Sequence, residues 1–433
     1  MGRVLQGKRR ILRGCRFTWG SRQNWCDSQR SPDHHSFAPT ERQRRVIAVA
    51  LTLPDFPWDT LAPLAARARE HPAGLIDLSV GSPVDPTPQF IRDALTAATD
   101  AHSYPLTAGS AALREAIAAW FARRRGVTGL SDSAVLPTIG SKEFIAGLPL
   151  WLGLGPGDIV VQPITAYPTY ALGAALVGAT VISGDDPAEW PDGTKLIWVN
   201  SPGNPDGRVL SVDELRCAVD RARELGAIIA GDECYAELAW QQPWLGSATP
   251  SILDPAVVGD SFDSVLAVYS LSKQSNLAGY RAGFIAGCPA TVAQLLAVRK
   301  HVGLLPPAPV QAAMAAALSD DEHVAEQRER YRARRDVLLA AVIAAGFRVD
   351  HSEAGLYLWV TKGDDSWVTA AELAELGILC APGSFYGTSG GRHVRLAITA
   401  SDDNITVAAT RLYDSVDKIA HSLSGSIGVH GGN

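Results

Sequence analysis

Short apolar runs, each closed by small or polar residues, recur through the middle of the chain: near Val135 and over 159–162, 180–182, 196–199, 228–231, 265–269 and 283–286. Their length and β-branched content are those of buried strands. Strand and helix alternate between them, which predicts an α/β fold on a largely parallel sheet, with ligands at the carboxyl ends of the strands. A long helix over 321–345, with an Arg- and Glu-rich exposed face, leads into a second set of elements: a strand over 356–360, a short strand within 391–398, and a final helix. The predicted organisation is a basic, disordered N-terminal extension (1–45), an N-terminal arm with part of a smaller domain (46–97), a large domain (98–319) and a small C-terminal α+β domain (320–433).

The extension differs in kind from the rest: arginine-rich, poor in acids and without hydrophobic periodicity. Three readings of it stand: translation from a start codon set too far upstream, an organellar transit peptide, or a basic arm that touches nucleic acid. Over the whole chain of 433 residues the net charge is −6, so no general attraction to nucleic acid is expected. No apolar run reaches membrane-spanning length, and a cytoplasmic enzyme with no membrane partner is the expectation. The six cysteines have no paired metal spacing, so no metal is predicted. Cys217 and Cys288 sit in apolar surroundings and read as reduced and structural. Cys234 reads as core packing.

Chemistry concentrates where strands end. The segment 270–283, SLSKQSNLAGYRAG, follows one apolar run and precedes another. A lysine there, Lys273, sits where desolvation lowers its pKa, which suits Schiff-base formation with a carbonyl compound. Ser270 and Arg281 flank it with phosphate-donor chemistry. The segment 196–207, LIWVNSPGNPDG, breaks into a turn carrying Asn200 and Asn204. The segment 227–235, AIIAGDECY, ends in Asp232, a costly buried carboxylate unless it meets a cation, with Tyr235 three residues on.

Together these motifs resemble the aminotransferase class I and II family of fold-type I pyridoxal phosphate enzymes, from about residue 53 to about 412. The resemblance implies pyridoxal 5'-phosphate held covalently by Lys273, its ring nitrogen paired with Asp232, its ring oxygen bound by Asn204 and Tyr235, and its phosphate on Ser270 and Arg281. It implies further phosphate donors in the backbone N–H groups of Ser141 and Lys142 (TIGSKE, 138–143), where a strand opens into a helix. A stacking aromatic is implied at Tyr167 (AYPTY, 166–170), with Tyr170 as the alternative. Tyr104 (YPLTAG, 104–109) matches the tyrosine that reaches a neighbouring subunit's phosphate, so a homodimer is expected. Arg395 matches the arginine that binds the substrate α-carboxylate, a task suited to its planar fork. Gly81 (LSVGSP, 78–83) matches the glycine beside that carboxylate, and Asn204 also faces the substrate.

Segments 53–59 (LPDFPWD), 140–143 (GSKE), 299–303 (RKHVG) and 306–311 (PPAPVQ) are similar to the actinobacterial-type N-succinyldiaminopimelate aminotransferases. That likeness implies an amino acid and a 2-oxo acid as substrates, in lysine and diaminopimelate biosynthesis. A succinyl carboxylate would need an added cation, for which Lys142, Arg299 and Lys300 are candidates. Asp206 stands where the wider family usually has threonine. Other amino-acid aminotransferases, a carbon–sulfur lyase of the same fold, and a regulator with a cofactor-binding domain are the alternatives.

Overall fold

A computed structural model describes residues 53–245 and 248–426, with residues 417–426 given by their helical backbone alone. The basic extension expected over 1–45 lies outside the described residues. After a two-residue strand, β1 (Ile76–Asp77), come β2 (Val135–Ile139), β3 (Ile159–Gln162), β4 (Thr180–Ser183), β5 (Thr194–Asn200), β6 (Ile228–Asp232), β7 (Val265–Ser270) and β8 (Ala282–Gly287). Strands β2 to β8 form one seven-stranded sheet in the order β2-β8-β7-β6-β5-β3-β4. It is parallel from β7 to β4, whereas β8 runs antiparallel to both neighbours, β2 and β7.

The apolar runs of the sequence are continuous because both faces of this sheet are covered. Val265, Ala267 and Tyr269 pack into one core with Trp120, Phe121 and Phe284, while Leu266 and Val268 pack into the opposite core with Phe144, Tyr170 and Trp198. Burying each large side chain contributes roughly 2 kcal/mol. The helix Val212–Leu225 shows how the chain marks its own boundaries: Ser211 and Glu214 form a capping box at its start, and Gly226, at φ 63°, closes its end. Cys217 on this helix is exposed, not buried as its apolar neighbours suggested, because the inward face is taken by Leu215, Ala218, Val219 and Ala222.

The chain then builds β9 (Arg348–Val349), β10 (Tyr357–Thr361), β11 (Ile378–Leu379), β12 (Ala381–Pro382) and β13 (Val394–Ala397). Four of these make an antiparallel sheet in the order β12-β13-β10-β9, and β11 pairs in parallel with β1. The helix Glu322–Ala344 contributes Tyr331, Leu338 and Val342 to the core beneath this sheet. Register matters most at two places. Asn200 at the end of β5 stands opposite Asp232 at the end of β6, and Arg395 on β13 stands opposite Trp359 on β10.

Candidate active site

The turn after β7 is built by its own side chains. Ser270 caps the short helix Leu271–Gln274 by accepting from the Ser272 backbone N–H at 3.2 Å, and Lys273 emerges from that helix. The Lys273 ammonium donates to the Gly81 carbonyl, tying the turn to the segment 78–83. Burial lowers the pKa of this lysine, and the like charges of Arg395 and Arg281 act in the same direction.

Asp232 is 5% exposed at the end of β6. Its carboxylate accepts from the Tyr170 hydroxyl at 2.9 Å and from the Cys234 backbone N–H at 3.2 Å, and burial raises its pKa. Asn200 donates to the Asp232 carbonyl at 2.9 Å and accepts from the Asn204 backbone N–H at 2.8 Å, which fixes the turn that presents Asn204. Asp206 closes the same turn by accepting from the Arg208 N–H at 3.2 Å.

A second cluster forms where β2 runs into the helix Gly140–Trp151. Gly140 adopts φ 72°, and a Cβ there would stand 2.5 Å from the Arg281 guanidinium. Only glycine lets that arginine approach the helix start. Arg281 itself holds a left-handed φ of 55°, a backbone cost found where a side chain must be aimed. Ser141 and Lys142 follow Gly140, and Lys142 lies over the Phe56 ring with its pKa lowered by burial and by Arg281.

Arg395 is 2% exposed. It donates to the Asn204 side-chain oxygen at 2.9 Å and to the Ser79 carbonyl at 2.6 Å, and three aromatic rings surround it: Tyr357, Tyr386 and Trp58, with centroids at 3.9, 5.0 and 5.7 Å. One cavity of about 1070 Å³ is lined by Gly81, Ser141, Lys142, Tyr167, Asn204, Asp232, Tyr235, Ser270, Lys273, Arg281 and Arg395.

Residues 73–412 match the aminotransferase class I and II family. The chain belongs to that family. It is 56% identical over 361 residues to the 4-dedimethylamino-4-oxo-anhydrotetracycline transaminase OxyQ of Streptomyces rimosus, covering 83% of this chain and 99% of OxyQ. It is 51% identical over 415 residues to the probable aminotransferase Rv1178 of Mycobacterium tuberculosis, covering 94% of this chain and 98% of that one. Among solved structures, the N-succinyldiaminopimelate aminotransferase from Mycobacterium tuberculosis matches with a TM-score of 0.73 at 28% identity, covering 82% of this chain and 96% of that one.

The class I and II aminotransferases depend on pyridoxal 5'-phosphate, and the residues of this aminotransferase fit that group. Asp232 is a buried carboxylate whose partners are neutral donors, the complement of a protonated ring nitrogen. Ser270, Ser141 and Arg281 offer phosphate donors around a helix start that a Cβ at Gly140 would block. Lys273 supplies an amine that burial biases toward its neutral form.

Of the residues singled out in the sequence of this aminotransferase, Tyr104 lies away from the cavity; it is 99% exposed. Tyr167 lines the cavity, whereas Tyr170 lies behind it, stacked on Trp198 with centroids 4.9 Å apart and bonded to Asp232. Arg299 does not reach the cavity. Its guanidinium is taken up by Glu143 at 3.0 and 3.4 Å and by the Trp151 ring. Lys300, exposed on the same helix, does not line the cavity either. Cys234 belongs to a core cluster and also reaches the cavity wall; burial pushes its thiol well up, which makes it a poor nucleophile.

Sequence reasoning missed an aromatic wall: Phe56, Trp58, Tyr357, Phe385 and Tyr386. These come from three separated segments with no common motif. The signal available was their chemistry, aromatic residues placed beside Pro57, Gly355 and Gly383.

Proposed function

We propose that this aminotransferase interconverts N-succinyl-LL-diaminopimelate and its 2-oxo acid, with glutamate and 2-oxoglutarate as the amino pair, in lysine and diaminopimelate biosynthesis. The observation that carries this is Lys142. It lines the cavity beside Phe56, and the charge acting on it is a like one, Arg281. With Arg281 assigned to the cofactor phosphate and Arg395 to the α-carboxylate, Lys142 is the cation left for a distal carboxylate.

Bound pyridoxal 5'-phosphate supplies an aldehyde that captures the substrate amine and a ring that takes up the electron pair left at the α-carbon. The rest is work for the chain. Arg395, already oriented by Asn204 and Ser79, holds the α-carboxylate in a bidentate grip, so that the α C–H bond faces the Lys273 amine. Lys273 would act as general base toward the α-proton and then, carrying that proton, as general acid, its amine moving the proton from one side of the substrate nitrogen to the other. Asp232, whose carboxylate accepts from Tyr170 and the Cys234 N–H against a burial that raises its pKa, would be completed by the positive charge of the ring nitrogen. Asn204 and Tyr235 would bind the ring oxygen of the bound group, and Tyr167 would pack against the ring. Tyr104, exposed as it is, serves the phosphate of a second subunit, which makes the working unit a homodimer.

A second reading is favoured by the 56% identity to OxyQ and by the aromatic wall: the substrate would then be a flat polycyclic ketone packed on Phe56, Trp58 and Phe385. Following the visible absorbance of the holoenzyme with glutamate, with N-succinyl-LL-diaminopimelate, and then with each keto acceptor decides between them. Conversion by both amino acids, reversed by 2-oxoglutarate, supports the first reading. Conversion by glutamate alone, reversed by a tetracyclic ketone, supports the second. Keto acid released with no amine form to reverse would indicate a lyase. Lys273→Ala should abolish turnover and leave the fold intact; substantial residual transamination would sink the assignment of the base.

A further inference from the structure

Tyr357 belongs to no motif, yet it touches each part of the site that the substrate must connect. It stands on β10, on the same face as Trp359, and the Arg395 guanidinium lies 3.9 Å from the centroid of its ring. Its hydroxyl is 3.3 Å from the hydroxyl of Tyr235, and the two rings meet edge to face. A Cβ on Gly81 would sit 2.2 Å from that same hydroxyl, and the carbonyl of Gly81 is what receives the Lys273 ammonium. Burial pushes the Tyr357 phenol up, but Arg395 and Lys273 outweigh it and leave the phenol below its usual value. The ring is 4% exposed and lines the cavity.

Three features separate this tyrosine from ordinary core packing. Among the described residues Arg395 has no carboxylate in contact, so the closest ring face is a principal part of what replaces water around its charge. Among the described residues the buried Arg395 Nε has no hydrogen-bond partner, which leaves the plane of the guanidinium to be set by its two terminal nitrogens and by the ring beneath it. The hydroxyl, finally, meets another phenol at the cofactor end of the cavity and not a backbone group that would merely satisfy it.

We propose that Tyr357 is a positioning residue with two separable tasks: its ring face holds the Arg395 fork flat for the α-carboxylate, and its hydroxyl steadies Tyr235 at the cofactor end. This rests on the reading of Arg395 as the carboxylate site. The ring and the hydroxyl therefore act on different steps. The ring governs binding of any α-carboxylate, amino or keto. The hydroxyl governs the rate once the substrate is bound.

The test uses the holoenzyme and glutarate, which is glutamate without its amino group and cannot react. Its dissociation constant is read by tryptophan fluorescence for wild type, Arg395→Gln, Tyr357→Met and Tyr357→Phe, alongside single-turnover rates with glutamate. Tyr357→Met keeps most of the volume but removes the π face, and should weaken glutarate by about tenfold to thirtyfold, the size of a desolvated cation–π contact. Tyr357→Phe should bind glutarate within about twofold of wild type while its single-turnover rate falls by about tenfold, the loss of one positioning hydrogen bond. Thermal midpoints report folding, and Tyr357→Leu serves if the methionine variant does not fold. Glutarate bound normally by the methionine or leucine variant but not by Arg395→Gln overturns the inference and leaves the carboxylate site standing. Normal binding by Arg395→Gln overturns the reading of Arg395 itself. A phenylalanine variant that reacts at the wild-type rate overturns the task given to the hydroxyl.

Discussion

Arg299 and Arg395 are both almost wholly buried, and their surroundings are opposites. Arg299, on the helix Pro289–Val302, is 0% exposed and meets its own anion, Glu143, with the Trp151 ring alongside. Arg395, on β13, is 2% exposed and meets a carbonyl, an amide oxygen and three aromatic rings. A buried cation matched by a carboxylate is complete; it holds two helices together and has little left to offer a ligand. A buried cation surrounded by neutral acceptors, and facing a cavity, is incomplete until an anion arrives. Both were read as substrate candidates from the sequence, where an arginine shows its charge and not its partner.

Removing the charge of Arg395 and removing the anion of Arg299 should therefore have opposite consequences. Arg395→Gln is expected to lower kcat/KM for glutamate by about a thousandfold, on the order of 4 kcal/mol, as truncation of one member of a hydrogen-bonded ion pair does. Its thermal midpoint should be unchanged or higher, because an uncompensated buried charge has gone. Glu143→Gln leaves Arg299 buried without its anion and should cost roughly 2–3 kcal/mol of stability, at or just below the low end of the range for broken buried pairs because the Glu143 side chain is 25% exposed. Its KM for glutamate should match wild type. Steady-state kinetics and denaturant unfolding on the two variants make the check; an Arg395 variant that unfolds with normal kinetics would invert the comparison.

The same contrast explains what was legible in the sequence. The strands of the main sheet were readable because each is a short apolar run, buried on both faces except at the edge strand β4, and the carboxyl ends of β2, β5, β6 and β7 carry the motifs. Lys273, Asp232 and Asn204 thus came with an address: a strand, then a turn, then a reactive group. The aromatic wall had none. Trp58, Tyr357 and Phe385 converge only after β1, β10 and the turn following β12 have paired and packed, and nothing local to any of them encodes that meeting. The choice between Tyr167 and Tyr170 was hidden for a related reason. One helical turn separates them, and burial alone sends the second behind the cavity to Asp232. Arg299 failed for want of its partner: Glu143 is 156 residues away.

Lys273 extends the comparison to a cation whose neighbours are also charges of its own sign. Its pKa is lowered by burial first, so in the cofactor-free protein the unfolded chain binds the proton more readily than the folded one. Between the folded value and the ordinary 10.5, the unfolded state holds more protons and stability rises with pH. Lys273→Met removes that slope. The cofactor-free methionine variant should melt at a higher temperature than wild type near neutral pH, with the gap closing toward pH 10.5. A gap that widened with pH would mean that the lysine is stabilised as a cation, contrary to its surroundings.

The smallest effect belongs to an arginine at the surface. Arg348 is paired with Asp350 at 2.6 Å, its side chain 71% exposed, and His393 shares the same carboxylate at 2.8 Å. Arg348, and then His393, hold the Asp350 carboxyl down at about 2, against burial that pushes it up. Because the folded value lies below the unfolded 3.8, the contribution is complete above that value and is lost as pH falls through about 2. Solvent screens the pair, so Asp350→Asn should shift the thermal midpoint by no more than about 2 °C at pH 7. That difference should persist down to about pH 5 and close between about pH 4 and 2. High salt should shrink it further, whereas the Glu143→Gln effect, set inside a protein wall, should keep most of its size. If salt erased both equally, the distinction between a charge matched in the core and one matched at the surface would fail at its simplest point.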